Sequence, residues 1–206
     1  MSTFDKLVAY FEKFPGVGVR QAKRFAFHVL TLKREQVSEL ADLIGSVASD
    51  TTECADCHRF FSTRSNQGST CSICADPNRD NHKLLVVTND GDIQAIERSG
   101  VYDGVYFVLG GTIPLLNAKE EDLRIRNTSL KALANKRSEQ TKLEVILGFA
   151  VNPDGENTSR YVESLLRELV EAKRVNISHL GRGLSTGSEL EYADAETIKS
   201  ALRNRV

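Results

Sequence analysis

The sequence predicts a mixed α/β protein with an N-terminal helix-hairpin-helix, a four-cysteine zinc module, a parallel-sheet segment and a C-terminal helical segment. Three observations predict this class. Apolar residues recur at three- and four-residue steps before position 50, every cysteine falls between Cys54 and Cys74, and short apolar runs alternate with amphipathic stretches after position 81. The predicted regions are 1–53, 54–77, 78–180 and 181–206.

The composition is typical of a globular protein that is neither strongly basic nor membrane-embedded. The 27 Lys and Arg residues nearly balance the 28 Asp and Glu residues, so any contact with nucleic acid must come from a local patch. No apolar run approaches the roughly 20 residues of a membrane helix, and no secretory or lipidation signal is visible. We therefore expect a cytoplasmic protein with reduced cysteines and no membrane partner.

The first 50 residues predict helices joined by a glycine hairpin. Pro15, Gly16 and Gly18 interrupt a helical pattern that begins near Phe4 and resumes after Val19. Gly16 and Gly18 would leave bare backbone N–H groups at the start of the second helix, and such a helix start can bind a phosphate oxygen.

Three cations follow the hairpin, at Arg20, Lys23 and Arg24. Cations at a helix N-terminus oppose the helix dipole unless an anion lies nearby. Residues 1–40 carry seven Lys or Arg against four Asp or Glu, a net charge of +3. The patch predicts sequence-independent contact with a DNA backbone, and the alternative is a helical hairpin with a solvated polar face. We expect the apolar residues of the second helix to be core residues rather than base-stacking groups: Phe25, Phe27 and Val29.

The cysteines form two Cys-x₂-Cys pairs, Cys54 with Cys57 and Cys71 with Cys74. This spacing predicts one structural Zn²⁺ per chain in a tetrahedral four-cysteine site. The alternatives are two disulfides, which need an oxidising compartment, or four isolated buried thiols, which would not fall into two equally spaced pairs. His58 is a possible substitute ligand but is expected to be solvated. A closed four-cysteine shell leaves no position for water, so the metal would fold the segment and not catalyse.

The second half of the chain predicts a parallel sheet with helices on both faces. Strands are expected at 84–87, 105–109, 143–150 and 175–180. Helices are expected at 92–99, 123–137, 158–173 and 195–202.

Acidic residues follow the first and third strands, at Asp90 and Asp92 and at Asp154 and Glu156. Parallel sheets place their sites at the carboxyl ends of strands, and carboxylates gathered there could hold Mg²⁺. The alternative, which the spacing favours, is that Asp90 and Asp154 cap the helices that follow them.

Several separated motifs resemble the RecR family of bacterial recombination mediators. The run F-P-G-V-G-V-R-Q-A-K-R-F-A-F-H-V-L is similar to the family's helix-hairpin-helix, and the four-cysteine segment follows it in the family's order. The run L-L-V-V-T-N-D-G-D-I-Q-A-I-E-R-S-G-V-Y-D-G-V-Y-F-V-L-G-G is similar to its Toprim domain. Two further runs are also similar to the family's Toprim domain: D-G-E-N-T-S-R-Y and, at 181–194, G-R-G-L-S-T-G-S-E-L-E-Y-A-D.

The resemblance implies a DNA-binding recombination mediator in DNA repair. Such proteins form ring-like homo-oligomers, here expected to be a tetramer or a dimer of dimers. They act with RecO and RecF partners to load RecA on single-stranded DNA coated by SSB. The implied DNA-binding residues are Gly16, Gly18, Arg20, Lys23 and Arg24. Asp154 and Glu156 are the expected partner-binding residues.

The chain departs from the family of catalytic Toprim domains at Thr88, where those enzymes have a Glu. Asp154 and Glu156 match their second acidic position. A neutral hydroxyl cannot replace a carboxylate as general base or metal ligand, so we expect no enzymatic activity. The alternative is a Mg²⁺-dependent Toprim nuclease or primase-like enzyme. The loop at 117–121 also lacks the family's glycine-rich turn, and the segment from His58 to Thr70 is longer than usual.

Overall fold

A computed structural model describes residues 1–63, 68–115, 125–181, 191, 193 and 195–203. The loop at 117–121 and nearly all of the motif at 181–194 lie outside these residues. The chain divides into two compact units, Met1–Thr52 and Glu53–Val206.

The first unit contains three helices: α1 (Thr3–Phe11), α2 (Val19–Thr31) and α3 (Arg34–Asp50). A tight turn joins α1 to α2, because the backbone N–H of Val17 donates to the carbonyl oxygen of Phe14 at 3.0 Å. Pro15 and Gly16 occupy the centre of the turn, and Gly16 has a φ of 76°. This is the arrangement of a type II turn, which needs a residue with positive φ at its third position. The predicted hairpin is therefore present.

The core of the first unit is small because two alanines face α1. Ala22 and Ala26 are fully buried, one turn apart on α2, against Val8 of α1. The prediction that Phe25 and Phe27 are core residues is wrong, since they are 37% and 58% exposed. The two rings flank the alanine stripe and cover its edges. Phe25 meets Phe11 edge-on, and Phe27 tilts against Phe4, while Val29 is half-buried.

Helix α3 has no buried residue. Its apolar side chains are between 36% and 66% exposed and recur at three- and four-residue steps. They are Val37, Leu40, Leu43, Ile44 and Val47.

The second unit is built on a parallel four-stranded sheet, as predicted. Its strands are β3 (Asp80–Val87), β4 (Gly104–Val108), β5 (Leu143–Leu147) and β6 (Val175–His179), in the order β4-β3-β5-β6. A separate two-stranded sheet pairs β1 (Thr51–Glu53) with β2 (Phe60–Ser62).

Five helices of the second unit lie among the described residues. They are α4 (Asp90–Ser99), α5 (Asn127–Arg137), α6 (Pro153–Leu165), α7 (Arg167–Glu171) and α8 (Ala195–Arg203). The helix expected at 158–173 begins earlier, at Pro153, and divides at Leu166 into α6 and α7. Its N-terminus is fixed by Asn152, whose side chain accepts a hydrogen bond from Gly155 N–H at 2.8 Å.

The two faces of the sheet are covered differently. Leu84 and Val86 of β3 belong to a core cluster that includes residues of α5 and α6. Leu85 and Val87, whose side chains alternate with these, belong to a second cluster with Ile93 of α4 and three of the cysteines. The expected helices are therefore present on both faces, and the cysteine module, residues Cys54–Cys74, shares the second face with α4.

Candidate functional site

The four cysteines lie together at one point of the second unit. Their sulfur atoms are all within 4.8 Å of one another, and the Sγ atoms of Cys57 and Cys71 are 3.6 Å apart. Four sulfurs held tetrahedrally at ~2.3 Å from a zinc ion would be about 3.8 Å apart. The predicted ligands Cys54, Cys57, Cys71 and Cys74 are thus arranged in a way that fits a metal ion.

The two Cys-x₂-Cys pairs adopt the same local turn. His58 N–H donates to the carbonyl oxygen of Cys54, and Ala75 N–H donates to that of Cys71, both at 3.0 Å. The N–H of Cys71 also donates to the sulfur of Cys54 at 3.2 Å. A hydrogen bond from an amide to a sulfur stabilises the thiolate that a metal requires.

The environment of the sulfurs also favours a bound cation. Cys54, Cys57 and Cys71 are buried and Cys74 is half-buried. Hydrogen bonds with Cys71 and then Cys74, together with burial, raise the pKa of Cys57, whereas hydrogen bonds with Cys57 and Cys74 lower the pKa of Cys71. Three buried sulfurs and one half-buried sulfur held this close together as thiolates need a positive charge among them.

His58 is not solvated as expected but is held in a bridge. Its Nδ1 lies 2.5 Å from Oε1 of Glu53, and its ring meets Phe107 edge-on, so its side chain is only 20% exposed. Glu53 also accepts two hydrogen bonds from Arg126, at 3.2 and 3.3 Å. Burial would raise the pKa of Glu53, but its hydrogen bonds with His58 and Arg126 lower it. The module is thereby tied to the start of α5.

Sequence reasoning missed Glu53 and Arg126 because they are 73 positions apart and belong to no motif. A backbone hydrogen bond also connects the cysteine module to the sheet, since the N–H of Val108 in β4 donates to the carbonyl oxygen of Cys57 at 2.8 Å. The cysteine module therefore covers the backbone of an edge strand.

The glycine hairpin places three exposed cations at the start of α2. Gly18 is the N-cap residue of α2 and supplies no side chain to cap it. Arg24 donates to Gln21 at 3.5 Å, while Arg20 and Lys23 make no hydrogen bond or ion pair with any residue in the described ranges. Exposed N–H groups and unpaired cations together are suited to an anion such as a phosphate.

Thr88 lies at the end of β3 with its hydroxyl engaged. Oγ1 donates to Oδ2 of Asp92 at 2.5 Å, and the N–H groups of Thr88 and Asn89 donate to the same oxygen at 3.1 Å. The Asn89 side chain accepts from Gly91 and Asp92 and so caps α4. The prediction that Asp90 is the cap is wrong; its carboxylate accepts from Phe60 N–H at 2.8 Å. The signal for the true cap was the Asn-x-x-Asp spacing of a capping box.

Asp154 and Glu156 lie in the first turn of α6 and are both half-buried. Asp154 does not cap this helix, a role that belongs to Asn152; its Oδ1 accepts from Leu115 N–H at 3.0 Å. The glycine between the two acids permits a close approach, because a Cβ on Gly155 would lie 1.9 Å from the carbonyl oxygen of Ala150.

Across the described ranges, the cysteine cluster is the only set of three or more His, Cys, Asp or Glu side chains that meets within 4.8 Å. No helix in the same ranges is long and apolar enough to cross a membrane.

The chain matches known families along its length. Residues 4–48 match the family model "RecR, helix-hairpin-helix", residues 82–180 match "Toprim domain", and residues 183–206 match "RecR, C-terminal". Proteins named "Recombination protein RecR" from Staphylococcus saprophyticus, Psychrobacter sp. and Rubrobacter xylanophilus are 34%, 35% and 36% identical to it. Each alignment covers 98% of this chain, and 95%, 97% and 94% of these relatives.

Proposed function

The chain belongs to the RecR family of recombination proteins, and on that basis we propose that it is a DNA-binding mediator of recombinational repair. In this proposal it is not an enzyme and works in the cytoplasm. It assembles into a ring-like homo-oligomer and acts with RecO-like and RecF-like proteins to load RecA on SSB-coated single-stranded DNA.

One observation carries the DNA-binding part of the proposal, namely the glycine hairpin with its exposed cations. Gly16 and Gly18 shape the turn, and Arg20 and Arg24 are one helical turn apart on the same face of α2, with Lys23 beside them. Such a surface contacts phosphates and offers little to read a base edge. Binding is therefore expected to be weak, sensitive to salt and indifferent to sequence.

Charge reversal tests this surface. The double variant Arg20→Glu with Arg24→Glu should lose measurable binding to a fluorescent DNA oligonucleotide near physiological salt. Reversing Lys142 and Arg160, two exposed residues of the second unit, is a control with the same change in charge. Zinc content and thermal unfolding should match the parent protein in both variants. Parent-like affinity of the Arg20/Arg24 variant across a salt series would place the DNA path elsewhere.

The metal in the cysteine cluster is proposed to be Zn²⁺, one per chain. Four cysteine sulfurs in a closed tetrahedral set are the donors of structural zinc sites. When bound, the ion would supply charge neutralisation and a cross-link between the two Cys-x₂-Cys turns. The test is elemental analysis of freshly purified, reduced protein, and less than half an equivalent of zinc would contradict the proposal.

Assembly into a homo-oligomer is supported by helix α3. Its exposed apolar row from Val37 to Val47 is of the kind that monomeric proteins rarely leave open to water. Several hairpins in one assembly would also raise the affinity for DNA above that of a single copy. Light scattering should show a mass above that of one chain, reduced by Ile44→Lys and unchanged by Val101→Lys, a control at another exposed apolar residue.

Asp154 and Glu156 are proposed to bind a RecO-like partner. Thr88 supports a binding role over a catalytic one, because its neutral hydroxyl occupies the position of the catalytic glutamate and is bonded to Asp92. The double variant Asp154→Asn with Glu156→Gln should weaken binding to the partner in a pull-down and leave DNA binding intact. Loss of both activities, or of neither, would contradict this assignment.

A further inference from the structure

An exposed phenyl ring shares a helix face with the three cations of α2. Phe27 follows Arg20, Lys23 and Arg24 by seven, four and three positions, so all four side chains project from one side of the helix. The ring is 58% exposed, although a side chain of this type is normally buried.

The ring packs against one aromatic neighbour among the residues that the structure describes. Its centroid is 4.8 Å from that of Phe4 on α1, and the two planes are inclined at 49°. A ring that packs against a neighbouring ring and remains largely open to solvent can stack on a flat ligand with little further loss of conformational freedom.

The charges around the ring favour an anionic ligand. Arg20 and Lys23 have no hydrogen-bonded partner within the described part of the chain. Asp5 is the acid that interacts with this group of cations, since its pKa is lowered first by its hydrogen bonds with Ser2 and also by the charge of Lys23. Its carboxylate is engaged by the N–H and hydroxyl groups of Ser2, at 2.9 and 2.7 Å.

We propose that α2 binds single-stranded nucleic acid, with a base stacked on Phe27 and the adjoining phosphates on Arg20, Lys23 and Arg24. This inference rests on the proposed DNA-binding function and deepens it by naming the type of strand. The faces of the bases are covered by their neighbours in a duplex and are free in a single strand, where aromatic side chains stack on them without regard to sequence. Arg20 and Phe27 are about 10 Å apart along the helix axis, so the cations and the ring can contact neighbouring nucleotides of one strand.

The absence of tryptophan from the chain allows a direct test. Phe27→Trp introduces a single tryptophan, whose fluorescence can be excited apart from that of the five tyrosines. The variant is titrated with oligothymidine, with an abasic oligonucleotide of equal length and charge, and with a duplex. The expected result is quenching by oligothymidine alone. Phe60→Trp is the control, because Phe60 is 54% exposed and lies in the second unit. Equal quenching by the abasic strand, or none by oligothymidine, would overturn the proposal.

Removing the flat ring gives the second readout. Phe27→Leu should weaken single-strand binding by about 5- to 160-fold, the range of one lost base stack, and leave duplex binding within about twofold. Phe25→Leu, on the other edge of the alanine stripe, is the matched control and should bind like the parent.

The combination of variants separates this proposal from the function on which it rests. Loss of DNA binding in the Arg20→Glu/Arg24→Glu variant, with parent-like binding by Phe27→Leu, would refute base stacking and leave the DNA-binding function standing. Parent-like binding by both would refute both. The emission of the Phe27→Trp variant is also recorded without DNA at increasing protein concentration. A blue shift that grows with concentration would show that a second copy of the chain covers the ring, and this result would also overturn the proposal.

Discussion

Replacing Glu97 by Gln should destabilise the second unit, because this carboxylate anchors α4 to the sheet. Its Oε1 accepts from Arg79 Nη1 at 2.9 Å and from the hydroxyl of Tyr106 at 2.6 Å, and its Oε2 accepts from Arg79 Nη2 at 2.5 Å. The side chains of Arg79 and Glu97 are 16% and 29% exposed.

The size of the effect follows from what the substitution leaves behind. Glutamine keeps the shape but removes the charge, so among the described residues the guanidinium of Arg79 retains Asp76, 3.9 Å away, as its acidic partner. Breaking a buried pair costs about 3–5 kcal/mol and breaking an exposed pair about 0–1 kcal/mol. For this intermediate burial we expect a loss of about 2–3 kcal/mol in the free energy of unfolding at pH 7.

The pH dependence has a definite sign. The hydrogen bond from Arg79, opposed by burial, lowers the pKa of Glu97 below its usual 4.5. The carboxylate therefore stabilises the folded state fully above that unfolded-state value, and this contribution is lost as the pH falls through the lower folded-state pKa. The stability difference between parent and Glu97→Gln should be constant from pH 7 to about 5 and shrink below about pH 4.5.

Urea unfolding followed by far-UV circular dichroism measures both effects, with parent and variant compared at each pH. Glu168→Gln is the matched control, because Lys131 and Glu168 are also 2.9 Å apart but are 44% and 78% exposed. That substitution should change the free energy of unfolding by less than about 0.5 kcal/mol. Equal losses in the two variants would refute the argument from burial.

Three further predictions concern the glycines, the metal and the acidic turn. Gly155→Ala should lower the free energy of unfolding by about 3 kcal/mol, measured in urea, because its Cβ would meet the backbone of Ala150. Gly45→Ala should raise it by about 1 kcal/mol, because Gly45 lies on α3 with open space around it. Cys57→Ser should lower the zinc content and disturb the whole cysteine module, because metal binding contributes on the order of 10 kcal/mol to folding in small zinc modules. Elemental analysis and circular dichroism measure the two effects, and an unchanged zinc content would argue against Cys57 as a ligand. Purified protein should show no DNA cleavage with Mg²⁺, and cleavage that disappears in the Asp154→Asn/Glu156→Gln variant would reveal a catalytic site.

Features specified by neighbouring residues were predictable from the sequence. The Cys-x₂-Cys spacing forces each pair into a tight turn, so four cysteines alone indicated a metal cluster. Pro15 followed by Gly16 fixed the hairpin, because one presets a negative φ and the other accepts a positive one. The presence and approximate limits of the four strands of the parallel sheet followed from short apolar runs that are typical of buried strands.

Features that depend on contacts between distant segments were decided by the tertiary structure. Apolar residues at helical spacing show that a helix has a buried stripe, but the width of that stripe depends on the neighbouring helix. In α2 the stripe is filled by Ala22 and Ala26, and Phe27 is left exposed to solvent. Likewise, the bridge from His58 through Glu53 to Arg126 joins residues that have no sequence relation. The position of the cysteine module on the second face of the sheet could not be predicted for the same reason. The element that covers an apolar surface depends on packing across the whole unit, and the local sequence pattern does not specify it.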